Sequence, residues 1–243
     1  MTTTTAAATA IATRQGTDGS NADGARVYES SSGVTAAAVI DGIGHAEDTV
    51  ALVPALAEAA VRTAAARGPL AGLLGAGLLI ADRGPTGAGP NAVGATVTVQ
   101  PDGRTIAAWA GDVRVYGWDG DRLRQYTTDQ TIGEQLRGWG IPAADAGFGD
   151  HIISVQLARA TVATVPEVVI PATEQLVIVT TDGVHDYATH EELEDAVRDW
   201  RDGDLQRLAD AIVAVTSPDP EGYRDDATVA VLSTQANAQA GGS

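Results

Sequence analysis

At 243 residues with 44% hydrophobic content, the chain is long enough for a full core and falls in the size range where one domain is common. Its formal net charge is −17, and all its strongly basic residues are Arg. A field of that sign repels nucleic acid and anionic membranes, so neither is expected as a partner. The absence of Lys excludes a Schiff-base lysine and the Lys-containing phosphate loop of nucleotide hydrolases. The absence of Cys excludes disulfides, thiolate catalysis and cysteine zinc sites, and it agrees with a cytoplasmic location. The opening residues, MTTTTAAATAIATRQ, lack the basic start and continuous apolar run of a secretory signal. Leu70 to Ala81 is interrupted by Gly and too short to span a bilayer. Residues 1–12 are expected as a flexible tail, 13–234 as one domain, and 235–243 as a small, polar, disordered tail.

In chain order, Ala25 to Ser30 and Val34 to Ile40 read as two strands joined by a Ser-Ser-Gly turn, with Asp41 ending the second. From Asp48 the apolar period changes to that of a helix, carried by Val53, Leu56, Ala57, Ala60, Val61 and Ala64; Pro54 marks either its start or a kink. A second, almost wholly apolar helix is expected over Leu70 to Asp82, followed by a Gly/Pro-rich loop over Arg83 to Gly94. Then comes a meander: strands at Ala95 to Gln100, Arg104 to Ala110, Val113 to Trp118 and Leu123 to Tyr126, with Asp-Gly turns at 102–103 and 119–120. A short helix is predicted over Ile132 to Trp139, a strand over Ile152 to Leu157, and another over Leu176 to Thr181. Two helices follow, the first opened by a capping box of Thr189 and Glu192. The last strand is Ala227 to Leu232.

Three of these strand boundaries carry acid. The run TAAAVI stops at Asp41-Gly42, LVIVTT stops at Asp182-Gly183, and ATVAVL is preceded by Asp225-Asp226. Three apolar strands delivering Asp to their ends point to one acidic site. Carboxylates without Cys, and with only four scattered His, favour hard cations such as Mg²⁺ or Mn²⁺ over zinc. Two such ions about 3.5–4 Å apart are a standard device for phosphoester hydrolysis.

The order and context of these motifs resemble the metal-dependent type-2C Ser/Thr protein phosphatases, the PPM family, over roughly Thr13 to Ser233. The motifs are Asn21-Ala22-Asp23, Asp41-Gly42-Ile43-Gly44, Gly111-Asp112-Val113-Arg114, Asp182-Gly183-Val184 and Asp225-Asp226-Ala227-Thr228. The resemblance implies an α+β fold, a four-layer α-β-β-α sandwich of two packed antiparallel sheets flanked by helices. It implies two, or with Asp112 three, Mn²⁺ or Mg²⁺ ions. Asp41 would bridge two of them with the Gly42 carbonyl on one, Asp182 and Asp225 would hold the other, and Asp23 would act through metal-bound water. Asp23 and Asp41 would thereby serve catalysis, by direct attack of a metal-bridging water on phosphoserine or phosphothreonine of a protein substrate.

The chain departs from that pattern at several places. The family carries an Arg shortly before Asn-x-Asp to grip phosphate; here the stretch is Thr17-Asp18-Gly19-Ser20, and the nearest Arg is Arg14. The second Gly of Asp-Gly-x-Gly-Gly-His is missing, so His45 directly follows Gly44. The middle residue of Asn-x-Asp is Ala22, and Asp-His after the central strands is Asp129-Gln130. His45 and His185 each follow an acidic corner, as proton donors to a leaving alkoxide or as solvent-facing loop residues. Arg114, alternating within a sheet, is expected to pair with a nearby carboxylate. Two functions fit: an active phosphatase, and a regulatory or binding module that kept the fold without efficient turnover.

Overall fold

The computed structural model describes residues 7–200 and 203–234. Two five-stranded sheets form the centre. The first runs β1 (Thr9–Arg14), β10 (Ala227–Ser233), β9 (Leu176–Thr180), β6 (Arg114–Trp118), β7 (Leu123–Gln125). The second runs β2 (Asp23–Glu29), β3 (Thr35–Gly42), β4 (Ala92–Val99), β5 (Thr105–Ala110), β8 (Glu167–Ile170). Every pairing is antiparallel. The sandwich and its sheet order follow from strands apolar on both faces. On β3, Ala36, Ala38 and Ile40 meet a helix layer, while Ala37 and Val39 meet the other sheet. A strand so placed has no polar face to offer water, and it reads as a continuous apolar run.

Helices α1 (Glu47–Arg67) and α2 (Pro69–Leu78) cover the second sheet. They approach closely because a Cβ on Gly72 would meet the Ala60 carbonyl and Ala64. By length and composition α1 is apolar enough to cross a bilayer. Here its Val53, Leu56, Ala57, Ala60, Val61 and Ala64 are buried against the sheet. It begins before Pro54 and runs through it, so that proline does not mark its start. Helices α6 (His190–Trp200) and α7 (Leu205–Ala214) cover the first sheet through Leu193, Val197, Leu208 and Ile212. The capping box forms as expected: Glu192 N–H donates to Thr189 Oγ1 at 3.2 Å, and Thr189 N–H donates to the Glu192 carboxylate at 2.8 Å. The result is the α-β-β-α sandwich.

Three expectations are corrected. The flexible tail assigned to residues 1–12 is too long, because β1 begins at Thr9 and pairs with β10 from Thr9↔Leu232 to Arg14↔Ala227; residues 1–6 and the tail 235–243 lie outside the described residues. Ile152 to Leu157 is not a strand: only Ile153 bridges, to Thr131, and a 3₁₀ turn starts at Leu157. The strand that closes the second sheet is instead β8, four residues between Pro166 and Pro171. The second helix also stops earlier, at Leu78. Between β7 and β8, short helices α3 (Ile132–Gly138) and α4 (Ala143–Ala146) form a segment tied down by Arg137, whose guanidinium meets Glu134 at 2.8 Å and Asp150 at 2.7 Å. A final short helix, α5 (Asp182–His185), turns the chain at the end of β9.

Candidate functional site

Five of the predicted carboxylates, Asp23, Asp41, Asp112, Asp182 and Asp225, together with Gly42, line one cavity of about 190 Å³ at an edge of the sandwich. Strand register explains the meeting. Asp23 and Asp41 are direct cross-strand partners on β2 and β3. Asp41 follows Ala37 and Val39 at the period of two that faces the other sheet, so its carboxylate enters the inter-sheet space just where the apolar packing ends. From the opposite sheet, β9 delivers Asp182 at the start of α5, and the segment entering β10 delivers Asp225.

The corners fit without room to spare. A Cβ on Gly183 would collide with the Asp226 carbonyl, which fixes α5 against the start of β10. The buried Thr181 hydroxyl donates to Asp23 Oδ2 at 2.8 Å and accepts from the Thr228 N–H at 2.9 Å, linking β2, the end of β9 and β10 behind Asp23. Thr181 is distinguished in the sequence by nothing except its place beside an acidic corner, and Asp226 by nothing beyond its place in the Asp225-Asp226-Ala227-Thr228 motif.

Crowding like charges into a recess perturbs them. Burial first, opposed by hydrogen bonds from Thr181 and Thr228, and assisted by Asp226 and Asp225, raises Asp23 to about 8. Burial, then the charges of Asp182, Asp23, Asp112 and Asp225, hold Asp41 well above the usual carboxylate range. Burial, then Asp112 and Asp225, do the same to Asp182. Asp112, only 8% exposed, is raised to about 6, chiefly by burial. Its Oδ1 is buried without a hydrogen-bond partner among the described residues.

Among the described residues no group of three or more His, Cys, Asp or Glu side chains stands ready-placed to hold a metal ion. The donor set nevertheless fits a hard divalent cation. It is all carboxylate, its members raise one another's pKa, and an orphaned Asp112 oxygen lies in the wall. Asp23, Asp41, Asp182 and Asp225 are the residues that would hold such ions, with Asp112 at the margin.

The remaining candidates separate. Arg114 pairs with Asp129, two of the contacts being 3.0 and 2.6 Å, and is thereby committed to the sheet, as expected. Arg14 is no phosphate ligand: on β1 its Nη1 donates to the Val213 carbonyl at 3.0 Å, and it does not line the cavity. His185 is buried, its Nδ1 2.8 Å from the Thr180 hydroxyl, so it is not a solvent-facing loop residue; it lines a neighbouring cavity of about 340 Å³ with Arg114, Asp129 and Arg137. His45, by contrast, lines the carboxylate cavity itself, as do His151 and Ile153 from the α3–α4 segment, which carried no sequence signal for such a role.

A fold of two antiparallel sheets between helix pairs, with acidic strand ends at one edge, is the fold of the PPM-type Ser/Thr phosphatases. The chain superposes on the serine/threonine phosphatase of S. agalactiae with a TM-score of 0.81 at 16% identity, covering 94% of this chain and 100% of that one. For the PPM Ser-Thr phosphatase MsPP of Mycobacterium smegmatis the TM-score is 0.73 at 22% identity, with 93% and 97% covered. For PstP/Ppp of Mycobacterium tuberculosis it is 0.67 at 17%, with 93% and 98% covered. No family model matches the sequence, and no curated protein does.

Proposed function

We propose that this protein is a divalent-metal-dependent phosphatase of phosphoserine and phosphothreonine in proteins. The observation that carries the reading is the convergence of Asp23, Asp41, Asp182 and Asp225, from β2, β3, α5 and the segment before β10, on one cavity of a phosphatase-type sandwich. Bound Mg²⁺ or Mn²⁺ would supply an activated water and neutralise the phosphoryl oxygens. The chain's own part is to hold the carboxylates at fixed separations. The β2–β3 register sets Asp23 against Asp41, and the Thr181 hydroxyl fixes Asp23 in turn. On this reading hydrolysis proceeds by direct attack of the activated water, without a covalent intermediate on the chain. A cytoplasmic location is part of the proposal, and the absence of Cys agrees with it.

The test is hydrolysis of a phosphothreonine peptide with Mn²⁺, with Mg²⁺ and with chelator, alongside calorimetric titration of the metal. Activity is expected only with the metal. Asp41→Asn is expected to remove several kcal/mol of transition-state stabilisation, about a hundredfold or more in kcat. Full activity in excess chelator, or an Asp41→Asn enzyme as fast as wild type, would overturn the reading. Metal binding without any turnover would mark a regulatory or phosphoprotein-binding module instead.

A further inference from the structure

A phosphoryl group entering this cavity brings negative charge to a wall already lined with carboxylates. Apart from ions that those carboxylates would bind, only two lining side chains can carry positive charge, His45 and His151; no Arg lines the cavity and the chain has no Lys. The two histidines are held very differently. His151 has an 83% exposed side chain, and its charged neighbour is Asp186, 3.8 Å from Nδ1. The His45 side chain is 27% exposed, and its Nε2 lies 3.3 Å from Asp226 Oδ2. That carboxylate is itself buried and fixed, accepting from the Gly16 N–H at Oδ1 and the Ala22 N–H at Oδ2, each at 2.7 Å. Gly19 closes the other side of His45. Its φ is +60°, and a Cβ there would come within 2.9 Å of His45 Cβ. The second ring nitrogen, Nδ1, has no partner among the described residues.

We propose that His45 is the phosphate-gripping residue of this site: the ring Nδ1–H donates to a phosphoryl oxygen of the substrate, while Nε2 faces the Asp226 carboxylate. The proposal deepens the phosphatase reading above and rests on it. Two departures noted in the sequence, together with Asp226, meet at this one point. The stretch Thr17 to Ser20 has no Arg, the shortened Asp-Gly-Ile-Gly places His45 directly after Gly44, and the residue after Asp225 is Asp226. Residues 181 positions apart thus meet, Nε2 to Oδ2 at 3.3 Å, beside the loop that lacks the guanidinium. Asp226 does not need His45 as a structural partner, because a carboxylate only accepts and both its oxygens already take backbone N–H groups. An Asn there would turn an NH₂ against one of those donors, so the carboxylate suits the loop and leaves the ring oriented by charge.

The experiment measures inorganic phosphate binding to the Mg²⁺-loaded protein by calorimetry, with imidazole ¹⁵N shifts, and separately KM and kcat on a phosphothreonine peptide. A lost hydrogen bond to a charged group predicts phosphate affinity weaker, and KM higher, by about tenfold to a hundredfold in His45→Gln, with kcat reduced far less. His45→Arg, which returns a cation to the same place, is expected to recover phosphate affinity, a rescue that a tethering role would not give. Phosphate is expected to move the wild-type His45 ring resonances. Unchanged phosphate affinity in His45→Gln, a silent ring in the wild type, or a fall in kcat at constant KM would overturn the grip, as would loss of affinity confined to His151→Gln. Metal-dependent turnover with unchanged phosphate affinity in His45→Gln removes only this proposal. A wild type inert with every metal removes the phosphatase reading, while the ring shifts still decide what His45 binds.

Discussion

A single hydroxyl behind Asp23 decides two quantities at once. Thr181 is fully buried; it donates to Asp23 and accepts from the Thr228 N–H. Thr181→Val keeps the shape and removes both bonds, leaving the buried Thr228 N–H unpaired at a cost of about 1–3 kcal/mol. The hydroxyl's bond favours the ionised form of Asp23, so the same change is expected to push Asp23 further above about 8. Urea unfolding and carboxyl ¹³C titration check the two effects; a variant as stable as wild type, or an Asp23 titrating lower, would contradict the assignment. The contrast with the carboxylates shows what the sequence could convey. Asp41, Asp182 and Asp225 are legible because each interrupts or adjoins an apolar strand, and a charge at a strand end needs a reason. Thr181 and Asp226 are not, because their roles depend on partners 158 and 204 positions away, through contacts that no local pattern encodes. The same holds for His45, which resembles any loop histidine until Asp226 is placed beside it.

At the scale of elements, legibility followed burial and length. The central strands and α1 are long and apolar, and the Asp-Gly turns of the meander are chemically explicit, so they were read close to their observed bounds. The misses are short or at an edge. β1 is a Thr/Ala run that looks like tail until β10 pairs with it, and β8 is a four-residue edge strand with Val169 exposed. Ile152 to Leu157 has strand composition, but beyond the single Thr131↔Ile153 bridge it forms no strand ladder. The α6 capping box shows the opposite case, a local signal fully realised. It satisfies donors at a helix start that packs Leu193 and Val197 into the core. Thr189→Ala is expected to cost about 1 kcal/mol of unfolding free energy, measured by denaturant titration, without altering KM, since α6 does not line the carboxylate cavity. A shift in KM would show that α6 reaches the site through α5.

For the molecule as a whole, the acidic cavity sets a tension between folding and function that pH can expose. In the unfolded chain its aspartates return towards their ordinary value near 3.8, whereas in the fold Asp23 sits at about 8 and Asp41 and Asp182 well above 3.8. Over the window between those values the folded protein binds more protons than the unfolded one. The stability that protonation lends is complete at low pH and is lost as pH rises through the folded pKa values. His185 works in the opposite sense, since burial, with Arg114 nearby, holds it well below 6.5 and it must charge on unfolding in acid. The measurement therefore belongs above its range, from about pH 7.5 to about 9, where Asp112, raised to about 6, is also ionised. In chelator, Tm is expected to fall across that window as Asp23 and its neighbours become charged against one another. Saturating Mg²⁺ or Mn²⁺ binds the native carboxylates in their ionised form, so it should raise Tm more at the alkaline end than at the neutral end. A chelated protein whose Tm climbs through the window, or a metal effect independent of pH, would mean that the carboxylates of β2, β3 and α5 do not share one site.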